Sequence, residues 1–163
     1  MRKSLLVLVA IAAALMLSGA PAAAQPTANL TVSATVSARA SLTLSAAGVA
    51  FADADPDLTP NITGAPVISV AAKSRTGGGN AVTLTVQAGS DLTSGGDTIA
   101  AANVSWTATG DLSAGILDTA AVTIGNWANS GSRAGDMTFV LVNSWTYAIG
   151  NYSATVTYTL SAP

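Results

Sequence analysis

The chain has 163 residues, with no His, no Cys and no Glu, and is 50% hydrophobic but only 9% charged. The missing residue types exclude a zinc or haem site of the usual kind, a Cys nucleophile, a Ser-His-Asp triad and any disulfide. Six basic residues against eight acidic ones exclude a basic nucleic-acid footprint.

In chain order, Arg2 and Lys3 precede an unbroken apolar run from Leu5 to Leu17. As a helix rising about 1.5 Å per residue, that run reaches roughly 20 Å, short of a hydrocarbon core of about 30 Å. Ser18-Gly19-Ala20-Pro21 breaks it, and Ala22-Ala23-Ala24 places small residues just before Gln25. Residues 1–24 therefore read as a cleaved secretory signal of a short, Ala-rich bacterial kind. The expected mature chain, 25–163, is extracellular or held at the cell surface and lacks a transmembrane segment. It carries Arg39, Lys73, Arg75 and Arg133 against eight Asp, a net charge of −4.

From there on the pattern is strand after strand. Leu30-Val32-Ala34-Val36 alternates apolar with Ser or Thr, and Leu42-Leu44 continues the period. The same alternation predicts strands at Ile68-Val70-Ala72, Val82-Leu84-Val86, Val104-Trp106-Ala108, Val122-Ile124, Met137-Phe139-Leu141 and Tyr152 to Leu160. Between them stand turn clusters at Asp53–Pro60, Thr76–Asn80, Ser94–Asp97, Gly110-Asp111 and Asn129–Ser132. Short strands punctuated by Gly, Asn and Asp predict an all-β fold in one domain, an antiparallel β-sandwich of the Ig-like or Greek-key type. The outward positions are Ser and Thr rather than the Lys that usually guards an edge, and Leu30–Ser37 carries no charge at all. Two readings follow: an edge covered by loops, or a strand meant to pair with another chain.

Two stretches carry a family likeness. Tyr152-Ser-Ala-Thr-Val-Thr-Tyr-Thr-Leu-Ser-Ala-Pro163 resembles the closing strand of WxL domains. Val67 to Arg75, with Lys73 and Arg75 before Gly77-Gly-Gly-Asn-Ala-Val82-Thr-Leu84, resembles that family's first motif, and Leu92 to Val104 the region after it. Val82 and Tyr158 stand where the family has its two Trp residues, so both Trp-x-Leu motifs are degenerate. The resemblance implies a secreted β-rich domain that attaches non-covalently to the cell wall through peptidoglycan.

Candidate sites are few. Asp53, Asp55 and Asp57 offer oxygens at alternate positions, as a Ca²⁺ loop does, but Leu58 and Gly64 occupy the places where an EF-hand needs Gly and Glu. The other Asp residues sit in or beside turn signals, with no pair aimed at one pocket, so a non-enzymatic protein without a cofactor is expected. Trp106 and Tyr158 share parity with apolar neighbours and are expected inside. Trp127 and Trp145, in Asn-rich, turn-flanked stretches, are the candidates for exposed rings that stack on a glycan. Lys73 and Arg75 are the candidates for contact with an anionic wall polymer. Two functions follow as expectations: a cell-surface structural protein that binds cell wall, or a self-assembling subunit of a surface filament or matrix, homo-oligomeric through exchanged edge strands.

Overall fold

A computed structural model describes residues 26–163. The signal-peptide reading lies outside them. The chain divides into two units, Met1–Thr35 and Val36–Pro163. In the first, residues 26–35 form no strand, and Leu30 and Val32 are 88% and 86% exposed. The strand expected over Leu30–Val36 is therefore not formed. An isolated alternating segment has no ladder partner to satisfy its backbone and no surface on which to bury its apolar row.

The second unit is an antiparallel β-sandwich. One sheet holds β1 (Arg39–Leu44), β3 (Ile68–Arg75), β10 (Gly131–Val142), β7 (Val104–Ala108) and β8 (Gly115–Ile116) in that order. In this sheet β2 (Asn61–Thr63) pairs with the end of β10. The facing sheet has the order β11 (Val156–Ser161), β4 (Ala81–Ala88), β9 (Val122–Ala128). A small hairpin, β5 (Leu92–Ser94) with β6 (Asp97–Ile99), and a 3-10 turn at Ala101–Asn103 lie between β4 and β7. The all-β expectation holds, and so does each strand predicted from Leu42 onward, except that the one expected from Tyr152 to Leu160 starts only at Val156, Ser153 making an isolated bridge to Thr93. The four short strands β2, β5, β6 and β8 were not legible, because two or three residues carry no period.

Period two decides which residues make the core. Ile68, Val70 and Ala72 of β3 and Met137, Phe139 and Leu141 of β10 point inward from one sheet, and Val82, Leu84 and Val86 of β4 from the other. All are buried, each large aliphatic side chain gaining roughly 1.5–3 kcal/mol relative to exposure. Trp106 packs among them with its ring tilted against Phe139 at 5.9 Å, and its indole N–H donates to the Ser113 carbonyl at 2.9 Å.

One register break changes a side chain's fate. Leu84 of β4 faces Gly125 but Thr85 faces Thr123, so Ile124 is an extra residue in β9. Such a bulge reverses the in/out alternation beyond it. Val122 and Ile124 point in before the bulge, and Trp127 points in after it.

Candidate functional site

The two sheets meet along a side that no strand closes. β1 ends one sheet and β11 ends the other, and they lie next to each other without pairing. Each therefore presents a free row of backbone N–H and C=O groups along its outer edge. Their direction follows from their partners. β1 is antiparallel to β3, β11 is antiparallel to β4, and β3 turns into β4 through Thr76–Asn80. β1 and β11 thus run in opposite directions.

The inward row of β11 shows what this seam lacks. Ala154, Val156, Tyr158, Leu160 and Ala162 alternate correctly toward the core, yet every one is only half-buried. Opposite them Leu42 of β1 is half-buried and Leu44 is 40% exposed. At the end where β1 finishes and β11 starts, the seam widens into a cleft of about 1060 Å³. Its floor is core, with Ile68, Phe139, Leu141, Val104 and Ile99; its walls are the segments 44–56 and 143–158. Pairing of Ala50 with Ala65 holds the first wall, and pairing of Thr93 with Ser153 holds the second. Gly64 sits beneath the first wall because a Cβ there would run into the Val49 and Phe51 side chains.

Asp53 and Asp55 stand at the mouth of the cleft, and its tyrosine hydroxyls are all engaged. Tyr158 reaches the floor, where its hydroxyl donates to Met137 Sδ at 3.6 Å, and burial pushes its pKa up to about 12. Tyr147 donates to the Val142 carbonyl and Tyr152 to the Ala148 carbonyl, so their hydroxyls fix the wall rather than face the cleft as free donors. An apolar trough flanked by two unpaired strand edges is suited to an extended segment with alternating apolar side chains.

The sites expected from sequence fall elsewhere. Asp53, Asp55 and Asp57 do not gather into a cation site: among the described residues no group of three or more acidic side chains is placed to hold a metal ion. Asp55 Oδ1 instead accepts the Asp57 backbone N–H at 2.9 Å, and Asp57 Oδ1 accepts the indole N–H of Trp145 at 3.1 Å. Trp145 is exposed, at 69%. Trp127 is not: it is 9% exposed, its N–H donates to Ser74 Oγ at 3.3 Å, and the Arg133 guanidinium lies over its ring at 5.8 Å. Trp127, a candidate for exposure from its Asn-rich, turn-flanked surroundings, is turned inward by the bulge at Ile124. Val82 of β4 is the cross-strand partner of Trp127, and both are buried. Lys73 and Arg75 are exposed on the outer face of β3, at the opposite end of the sandwich from Trp145. Asp136, expected near a turn, lies within β10 and accepts a hydrogen bond from Ser69 Oγ at 2.6 Å.

Among the described residues no helix is long and apolar enough to cross a membrane. No protein-family model and no curated protein matches the chain.

Proposed function

We propose that the protein is an exported bacterial subunit that assembles with copies of itself by strand donation, building a surface filament or matrix. The observation that carries this reading is the unfilled seam between β1 and β11, with its half-buried apolar rows and free strand edges. The same chain holds a segment of matching pattern. Leu30, Val32, Ala34 and Val36 alternate over about 20 Å of extended chain, comparable to the row from Ala154 to Leu160.

Direction argues for a second copy as the donor. A strand filling the seam is antiparallel to either β11 or β1, not both. Antiparallel to β11, it is parallel to β1, and a chain that precedes β1 by only Ser37 and Ala38 cannot turn to lie parallel beside it. Parallel neighbours need a crossover of about a dozen residues. Folding back antiparallel to β1 would need a two-residue hairpin through Ser37-Ala38, a pair without the left-handed preference of Asn or Gly. Donation to another copy meets neither obstacle.

Wall binding, the expectation drawn from the WxL resemblance, retains Lys73, Arg75 and Trp145, but they stand at opposite ends and Trp127 is in the core. Strand donation requires no such span. The test is direct: a chain starting at Gln25 is expected to form filaments or heat-resistant oligomers, visible by light scattering and electron microscopy. Removal of residues 25–37, which leaves β1 whole, is expected to give a folded monomer. A full-length mature chain that stays monomeric at high concentration would defeat the proposal.

A further inference from the structure

Charge is unevenly distributed along the strand axis: Asp111, which accepts the Ala134 N–H beside Arg133, and Asp136 within β10 stand between the ends, while the other charges separate with a direction. The rows of the first sheet place the cations together: Arg39 of β1 faces Arg75 of β3 on the outer surface, and Lys73 stands in the next row of that face, opposite Ser41 and Ser132. Arg133 lies one residue further along β10, on the inner side. All four cations of the described chain are thus at the end where β1 begins. Like charges directly opposite on a sheet repel, so this corner is more stable with an anionic surface against it. At the other end, where β1 finishes and the cleft opens, Asp53 and Asp55 line the mouth and Asp57 stands beside it on Trp145. Asp91, Asp97 and Asp118 belong to that end too, since Ala88, the last residue of β4, donates its N–H to the Asp118 carbonyl and the β5–β6 hairpin follows it.

We infer that copies dock pole to pole, the cationic end of each donor seated on the acidic mouth of its acceptor; this rests on the strand-donation reading. Topology and charge point the same way. The donor segment leaves its own sandwich at Arg39, the cationic pole. β11 starts at the acidic mouth and runs toward the cationic pole, so a donor antiparallel to it finishes at the mouth. Only Ser37 and Ala38 then separate Val36 in the acceptor from Arg39 of the donor body, a span of roughly 10 Å. That is about one Debye length at physiological ionic strength, close enough for the two poles to attract. The reverse insertion, parallel to β11, would bring cations against cations. Charge therefore selects the polarity of insertion and speeds encounter, while the apolar row supplies most of the hold.

The experiment is a charge swap with wild-type controls. The assembly rate of the wild-type chain from Gln25 is followed by light scattering at roughly 20 mM and about 500 mM salt, where screening differs several-fold. The expected result is a fall of about tenfold or more at high salt. In a Lys73→Asp/Arg75→Asp variant the two new acids only balance Arg39 and Arg133, so its cationic pole becomes neutral, and an Asp53→Lys/Asp57→Lys variant sets two cations at a mouth that keeps Asp55. Every substituted side chain is exposed, and thermal melting of each variant confirms that the fold is kept. Each variant alone is expected to assemble about tenfold more slowly at low salt, and an equimolar mixture to associate faster than either, because the intact cationic pole of the second seats on the intact acidic mouth of the first. Polymer from the wild type with salt-insensitive rates, or a mixture no faster than its parts, overturns the pole-to-pole interface alone. A wild type that is monomeric at every ionic strength overturns strand donation as well.

Discussion

The two long sides of the sandwich obey the same alternation and reach different ends. On the β4–β9 side, Val82, Leu84, Val86 and Ile124 are fully buried, and the bulge brings Trp127 in to complete the layer. On the β1–β11 side, Val156, Tyr158 and Leu160 point inward just as regularly and stay half-exposed. Sequence pattern sets the face on which a side chain lies. Whether that face is covered depends on what stands opposite, and here β1 and β11 end their sheets without pairing. A chain with no disulfide to compensate keeps this apolar seam open, which is a hazard unless the seam has an occupant.

The largest effect expected is a contrast between the two sides. Leu84→Ala removes a side chain buried on every side and is expected to cost about 3–5 kcal/mol of unfolding free energy, because transfer and cavity terms add. Leu160→Ala, at a half-buried position with room to relax, is expected to cost about 1–2 kcal/mol in the monomer lacking residues 25–37. Urea unfolding of both variants in that background measures the difference. Equal costs would mean that the seam is as tightly packed as the closed side.

Filling the seam is the next effect in size. A peptide spanning residues 28–38, added to the monomer lacking residues 25–37, binds only the folded state. At a hundredfold excess over its dissociation constant it stabilises by about 2.7 kcal/mol. The expected observation is a melting temperature that rises with peptide concentration. A peptide with Val32→Asp puts a charge into the apolar trough and is expected to lose the effect. Identical shifts from both peptides would refute side-chain reading by the seam.

Most of the architecture was legible because alternation over five or more residues is a strong signal. Tyr152 to Leu160 could not have been a helix, since its apolar set would wrap the whole cylinder. The candidate site was legible only in half. Leu30–Val36 showed an uncharged alternating pattern, but the seam proposed to receive it is made by the ends of β1 and β11, which the sequence separates by more than a hundred residues. Trp127 was an exposure candidate because Asn126 and Asn129 flank it, but one extra residue in β9 turns it inward, and nothing in Ile124-Gly125 beyond the glycine marks that bulge. The charge poles were hidden as well, because Arg39, Lys73, Arg75 and Arg133 come together only through strand register.

The bulge offers a smaller test on the closed side. Trp127→Phe keeps a ring beneath Arg133 but removes the donor to the hydroxyl of Ser74, a buried residue. The expected cost is about 1–2 kcal/mol, the range for a buried polar group losing its partner. Ser74→Ala and the double variant complete a cycle, and coupling of about 0.5 kcal/mol or more between the two positions is expected for residues in contact. Strict additivity would show that the Trp127 N–H and Ser74 do not interact.

The smallest effect returns to the open side and is read through protonation. Burial raises the Tyr158 pKa from 10.0 to about 12, because the phenolate is poorly solvated against the core. The folded state thus favours the neutral phenol more than the unfolded state does. The sign follows: this contribution to stability is complete below pH 10, where Tyr158 is neutral in both states. It is lost as the pH rises through about 12, since the unfolded chain ionises first. Burial also raises Tyr147, on the cleft wall, so the phenolate absorbance of Tyr158 is obtained by difference from a Tyr158→Phe variant. A strand seated in the seam covers the exposed part of the Tyr158 ring and removes more of its water. Its ionisation is therefore expected at higher pH in the peptide-filled monomer than in the open one. Unchanged titration on saturating peptide would mean that the strand does not lie over Tyr158, and would move its binding site away from the β11 side of the cleft.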